Sequence, residues 1–430
     1  MNLLNIDYEK YKLKNGLEVI LNHNSTLPLV AVNLWYRVGS SNEKKGKTGI
    51  AHLFEHMMFQ GSQNVPKEIH FRYIQEAGGT LNGSTSFDRT NYYEKVPSNY
   101  LDLALWLESD RMGFLLPALT QEKLTNQIGV VSNERLERYD NQPYGLAWEI
   151  LVSNLYPENH PYSWPTIGFM NDIKSYTLDD VSGFFKKYYS PSNATLVVAG
   201  NFEKENIKDR ISKYFEDIPT SNENSGKHTQ ELVVPEVNLD KNIFIERFEN
   251  VQLERIYFAW HTEKAYAVND NSLDVLSDIL TGSKSSRLTK HLVYDTELAQ
   301  DISAFQFSGK YDGHYMIIAT AKPGISLGKL KEEIFKEIEN ICKNGVTQKE
   351  LTRSKNLIKS SFINSMQNLD VIADHLNHYN FYLNEPNSFN FDLKRYEEVT
   401  NESIKNAANK YLIKNNIKLQ IRPLDKKPNG

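Results

Sequence analysis

The sequence predicts an α+β protein built as two similar halves. Helical and strand periodicities are mixed within each half, with largely antiparallel strands expected. The two halves also end alike. Thr177–Leu196 laid on Thr400–Leu419, an offset of 223, pairs Thr177 with Thr400, Lys187-Tyr188 with Lys410-Tyr411, Asn193 with Asn416 and Leu196 with Leu419, as an internal duplication would. Finally, 430 residues exceed the roughly 250–300 at which single cores stop growing. The expected division is a first domain at 1–220, a linker at 221–242 and a second domain at 243–430.

Asn15-Gly16 between Tyr11–Lys14 and Leu17–Leu21 is hairpin chemistry. Val30, Val32, Leu34, Tyr36 and Val38 alternate with Ala31, Asn33, Trp35 and Arg37, which predicts a strand. Helical patterns follow at 48–60, 67–77, 100–112 and 121–139, with Gly61 and Gly78-Gly79 as stops for the first two. Residues 80–95, rich in Thr, Ser, Tyr and Phe, read as strand. A helix at 178–189 and a strand at 194–199 close the half. Ser221, Asn222, Glu223, Asn224, Ser225 and Gly226, followed by Pro235, have the composition of a linker. Beyond it, strands are expected at 255–261, 301–307, 313–321 and 417–421, with a helix at 272–280 and long helices after residue 321.

Composition narrows the functional classes. Lys and Arg number 49 against 54 Asp and Glu, a net charge of −5, so nothing electrostatic points to nucleic acid. No apolar run approaches the roughly 18 residues of a membrane span, and the N-terminus lacks a signal-peptide pattern. With the single Cys342 no intramolecular disulfide is available. The expectation is a soluble, cytoplasmic protein with no membrane partner, although a processed mature chain would read the same.

Residues 52–56 read His-Leu-Phe-Glu-His. On a helix, His52 and His56 stack one turn apart and Glu55 joins their face. Two imidazoles so spaced can grip a zinc ion, and a carboxylate beside them can take a proton from water. The order is the inverted form of the zinc protease motif. Zinc hydrolases usually take a third protein ligand. Glu134 and Glu137, one turn apart in Val-Val-Ser-Asn-Glu-Arg-Leu-Glu, are both candidates, and helix periodicity does not choose between them. Asp374-His375-Leu376-Asn377-His378 is a poorer metal pattern and reads as a helix face. The helix around 330–343 reads as amphipathic packing.

With these motifs the chain resembles the pitrilysin family of zinc metallopeptidases, which includes insulin-degrading enzyme and mitochondrial processing peptidase, and is most similar to its short two-domain bacterial members. The resemblance spans nearly the whole chain. It rests on His-Leu-Phe-Glu-His-Met-Met-Phe-Gln-Gly-Ser (52–62), Gly-Gly-Thr-Leu-Asn-Gly-Ser-Thr (78–85), Val-Val-Ser-Asn-Glu (130–134), His-Pro-Tyr (160–162) and Ser-Ser-Arg-Leu (285–288). It implies two homologous domains, each a mainly antiparallel sheet packed with helices, forming a clamshell around a peptide chamber. In the family the third ligand follows the second His by about 76–78 residues, and Glu134 stands 78 after His56.

The resemblance therefore implies one Zn2+ per chain held by His52, His56 and Glu134, with Glu55 as general base. It places Asn82 and Gly83 on the strand edge where an extended peptide docks, and Phe59 beside the pocket after the scissile bond. Gln127 stands where the family often has a Glu. Active single-chain relatives also carry an Arg and, seven residues later, a Tyr in the second domain; Val293 and Gln300 occupy those positions, while Arg287 belongs to a different, structural one. The departure implies a zinc-bearing catalytic subunit that needs a paralogous partner supplying Arg and Tyr, a heterodimer rather than a homodimer. The substrates expected are short or unfolded peptides. The rival expectation is a non-catalytic structural or peptide-binding subunit, but such relatives usually have degraded zinc motifs.

Overall fold

The computed structural model describes residue 4, residues 6–220 and residues 232–427. The Ser221–Gly226 cluster read as linker lies outside these, and the described residues 232–242 carry no helix or strand. In the first half, β1 (Glu9–Lys12) and β2 (Glu18–His23) form the hairpin expected around Asn15-Gly16. There follow β3 (Leu29–Tyr36), α1 (Ile50–Met57), α2 (Ile69–Glu76), β4 (Thr80–Thr85), β5 (Thr90–Pro97), α3 (Leu101–Phe114), α4 (Gln121–Arg135), α5 (Ala147–Leu155), α6 (Met170–Ile173), α7 (Leu178–Tyr188), β6 (Ala194–Gly200) and α8 (Ile207–Phe215). The single strand expected at 80–95 is two, because Ser86 N–H bonds Arg89 O and turns the chain. The helix expected over 121–139 stays α-helical to Arg135 and finishes as a π-helical turn, Leu136–Asp140.

The second half runs β7 (Ile243–Glu249), β8 (Arg255–Thr262), α9 (Asp270–Thr281), β9 (Ala299–Ser308), β10 (Gly313–Ala321), α10 (Leu327–Asn344), α11 (Gln348–Ser365), α12 (Leu369–Leu383), α13 (Phe389–Glu397), α14 (Asn401–Tyr411) and β11 (Ile417–Pro423). The sequence did not predict β7, whose Glu246, Arg247 and Glu249 interrupt any apolar alternation. It is an edge strand, where charge is tolerated.

The duplication is visible in the strand order. The first sheet is β1-β2-β6-β3-β5-β4 and the second β7-β11-β8-β10-β9. Without the extra β1, the two orders correspond strand for strand. In each, the last strand in sequence inserts parallel to the first and antiparallel to the second. The helices entering those last strands share a start as well. Thr177 and Thr400 are their N-caps, accepting from the N–H groups of Asp180 and Ser403, so two orphan donors are satisfied in the same way.

Two compact units are built from these elements. One comprises Met1–Arg135, Trp164–Val233 and Ile363–Asn390; the other comprises Leu136–Ser163, Val234–Phe362 and Phe391–Gly430. The contiguous domains 1–220 and 243–430 therefore need correcting. Each sheet draws its strands from one half, but α5 packs on β8 and β11, whereas α12 packs on β3, β5 and β6. An amphipathic helix advertises that one face is buried, not which sheet will bury it. The same packing explains why β3 is buried on both faces: α12 covers the face carrying Ala31, Asn33 and Trp35, with Trp35 Nε1 donating to Asp374 Oδ1 at 3.1 Å. The second unit's core joins β8, β10, α9, α10 and α14 through residues such as Trp260, Leu276, Tyr315, Ile334 and Ala407. Among the described residues no helix is long and apolar enough to cross a membrane.

Candidate active site

Helix α1 is divided lengthwise. Ile50, Ala51, Leu53, Phe54 and Met57 are buried, and Phe54 stacks among Phe184, Phe185 and Tyr189. His52, Glu55 and His56 occupy the remaining, half-buried face. The helix starts at Gly49, whose φ is +87°. A Cβ there would lie 2.4 Å from Ile167 O, so only glycine permits this approach. Its first donors are satisfied by a buried carboxylate: Gly49 N–H bonds Glu43 Oε2 at 2.9 Å and Ala51 N–H bonds Oε1 at 2.8 Å. Trp164 Nε1 donates to Glu43 as well. Burial pushes the Glu43 carboxyl up to about 8 against these donors.

Helix α4 packs beside α1 and brings Glu134 to the histidines. Glu134 Oε2 lies 3.7 Å from His52 Nε2 and 3.3 Å from His56 Nε2, and the two rings are 4.9 Å apart, nearly perpendicular. One ligand atom from each of the three residues lies within 4.8 Å of the others. Zinc bonded to nitrogen and oxygen at about 2.0–2.2 Å in tetrahedral geometry spaces its donors by roughly 3.4 Å, so the donor set fits such an ion. Glu137 is exposed in the π-helical turn of the other compact unit. The other group of three candidate ligands among the described residues is His70, Glu94 and Glu108. It already surrounds a cation, for the Arg111 guanidinium bonds Glu108 through Nε at 2.9 Å and approaches Glu94 at 3.4 Å. His375 and His378 belong to neither group, and Asp374 serves Trp35 and Asn33 instead.

Glu55 faces strand β4. Thr85 Oγ1 donates to Glu55 Oε2 at 2.6 Å. Burial raises the Glu55 carboxyl, while the Thr85 hydroxyl and His56 oppose that shift and Glu134 adds to it. A Cβ built on Gly83 would lie 3.2 Å from Glu55 Cγ and 3.3 Å from Phe59 Cε2, so the missing side chain lets the strand pass close to both. Strand β4 pairs with β5 on one side and forms the sheet's edge on the other. Asn82 is exposed, and its Oδ1 accepts from Gly83 N–H at 2.9 Å. The Phe59 ring sits 4.7 Å from Phe71 and 5.8 Å from Tyr92, and the Arg111 guanidinium backs both Phe59 and Tyr92. All seven residues singled out in the sequence lie in one compact unit. Sequence reasoning missed Glu43, Thr85 and Arg111 as supports, because a lone acid, hydroxyl or base carries no local pattern.

Residues 18–165 match the family model described as Insulinase (Peptidase family M16), and residues 175–358 match Peptidase M16 inactive domain. The zinc protease PqqE of Helicobacter pylori is 31% identical over 85% of this chain and 82% of its own length. The chain belongs to peptidase family M16. An uncharacterized zinc protease of Bacillus subtilis, YmxG, is 28% identical over 84% of both chains. A solved Helicobacter pylori protease superposes with a TM-score of 0.87 at 28% identity, covering 97% of this chain and all of that one. Two positions of the second half bear on the expectation of an Arg and a Tyr. Val293 is partly buried against the second core, and Gln300 is exposed at the start of β9. Arg287 is committed to Glu337 and Glu350, each at 2.7 Å.

Proposed function

We propose that this chain is a zinc metalloendopeptidase subunit that hydrolyses short or unfolded peptides docked on β4. The observation that carries the reading is the convergence of His52, His56 and Glu134 beside Glu55, with an open strand edge directly alongside. His52, His56 and Glu134 would hold one Zn2+ per chain. When bound, zinc supplies a Lewis acid that polarises the scissile carbonyl and favours ionisation of water. Glu55 takes a proton from the attacking water and passes it to the leaving amine. Thr85 fixes the carboxylate that performs both transfers. The backbone around Asn82 and Gly83 pairs with an extended peptide, and the aromatic face of Phe59 receives one of its side chains.

Val293 and Gln300 support the further reading that a paralogous partner completes the site with Arg and Tyr, groups suited to a developing oxyanion. Peptidase assays of the purified chain alone, and mixed with a paralogue carrying that pair, test this. Little turnover alone and restoration on mixing are expected; full activity alone would overturn the partner requirement. Glu55→Gln should retain about one zinc per chain and lose hydrolysis, and retained turnover would overturn its role as base.

A further inference from the structure

The face of the first sheet opposite Glu55 carries a cavity that the proposed chemistry does not use. It measures about 220 Å3 and is lined by Asn33, Ser84, Arg89, Tyr93, Val371 and Asp374, among others. The cavity lies wholly within one compact unit. Side chains alternate along a strand. Thr85 and the Cβ direction of Gly83 point to Glu55, so Ser84 and Asn82 point to the other face. Ser84 Oγ bonds Asn91 Oδ1 at 2.6 Å, and Asn91 Nδ2 in turn reaches Asp374 Oδ1 at 3.3 Å.

A peptide added along β4 obeys the same alternation. If one of its side chains rests on Phe59, the next residue in sequence points to the opposite face, over Ser84 and into this cavity. We propose that the cavity is a specificity subsite for a basic side chain, Lys or Arg, at that neighbouring position. This rests on the reading of β4 as the peptide-docking edge.

The lining selects the charge. Asp374 accepts from three neutral donors, Asn33, Trp35 and Asn91, all at Oδ1, so its negative charge is solvated without a paired cation among these contacts. Asp370, one turn earlier on α12, is paired with Lys95 at 2.9 Å. Arg89 is committed to the Ser84 carbonyl at 2.9 Å, to Asn91 at 3.0 Å and to the face of Trp35. Val371 and Tyr93 offer an apolar wall for an aliphatic stem, and Asp374 offers a carboxylate for its head.

The test uses the full chain in two assays. Cleavage sites in an unbiased peptide library are mapped for wild type, Asp374→Asn and Val371→Lys, each mixed with a paralogue carrying Arg and Tyr, Val371→Lys placing a cation at the cavity without removing any hydrogen bond of the Asp374 network. In parallel, Glu55→Gln binds fluorescent peptides that differ only by Lys, Leu or Glu at each successive position. Enrichment of Lys and Arg one residue from the side chain facing Phe59 is expected, with a preference up to about fivefold that both variants abolish. Cleavage or binding with no basic preference there, or with one that Val371→Lys leaves intact, overturns the subsite alone. Lys-selective binding without any hydrolysis by wild type, even when mixed with a paralogue carrying Arg and Tyr, supports the subsite and overturns the peptidase reading. Failure of every peptide to bind overturns the docking edge and the subsite with it.

Discussion

Thr85 Oγ1 donates a 2.6 Å hydrogen bond to Glu55 Oε2, tying the edge strand β4 to the helix that carries both histidines. The residue next to the open strand edge thus orients the carboxylate proposed to move the proton. Thr85→Val keeps the shape of the side chain and removes this bond, which for a charged acceptor is worth about 1.5–3 kcal/mol. A roughly tenfold or larger loss of kcat/KM with zinc content unchanged is expected, read by steady-state kinetics beside metal analysis. Wild-type turnover would show that Glu55 needs no such anchor.

Glu134 and Glu137 lie one turn apart in sequence but differ in consequence. Glu134→Gln should lower zinc affinity by about 100-fold or more, beyond the loss typical of outer-shell partners, while Glu137→Gln should leave it unchanged. Competition with a chromogenic chelator reads both. Equal losses would remove the assignment of Glu134.

Gly83→Val places a side chain where even a Cβ lies 3.2 Å from Glu55 Cγ. Because β4 is an edge strand, the fold tolerates the change better than the site does. The expected result is a melting temperature near that of wild type with kcat/KM reduced on the order of 10–100-fold.

Arg111→Met leaves Glu94 and Glu108 buried without their shared cation, at a cost of about 3–5 kcal/mol. Burial and the neighbouring Glu108 already push Glu94 well above the usual carboxylate range. Denaturant unfolding should show this loss. The surviving folded fraction should bind peptides more weakly, since Arg111 backs Phe59.

Glu43 links stability to pH. Its folded-state pKa is raised, from 4.5 to about 8. For an acid so shifted, the stabilising contribution is fully present below about 4.5 and is lost as pH rises through about 8. Wild type should therefore lose stability relative to Glu43→Gln between those limits, by an amount measurable as a diverging pair of melting curves. Parallel curves would show that the carboxyl stays ionised throughout.

Local features were legible in the residues themselves. The Asn15-Gly16 hairpin, the strand at Gly313–Ala321 and the helix carrying His-Leu-Phe-Glu-His all follow from turn chemistry and periodicity. The matching starts at Thr177 and Thr400 were visible as an offset of 223 and are visible in space as paired N-caps. Strand β7 was illegible because an edge strand has no need of apolar alternation. The burial of both faces of β3 was illegible because its covering helix, α12, lies more than 300 residues away.

The sequence by itself determined that His52, Glu55 and His56 share a helix face, since the helical repeat alone puts positions i, i+3 and i+4 together. It also determined that two similar halves exist. Only the tertiary structure decided that Glu134, and not Glu137, stands 3.3 Å from His56, that β4 runs past Glu55 as an open edge, and that α5 and α12 each join the sheet of the other half. Spacing along a helix is dictated by backbone geometry within a few residues. Convergence of α1, α4 and β4 depends on which buried faces pack together, and a buried face carries no label for its partner.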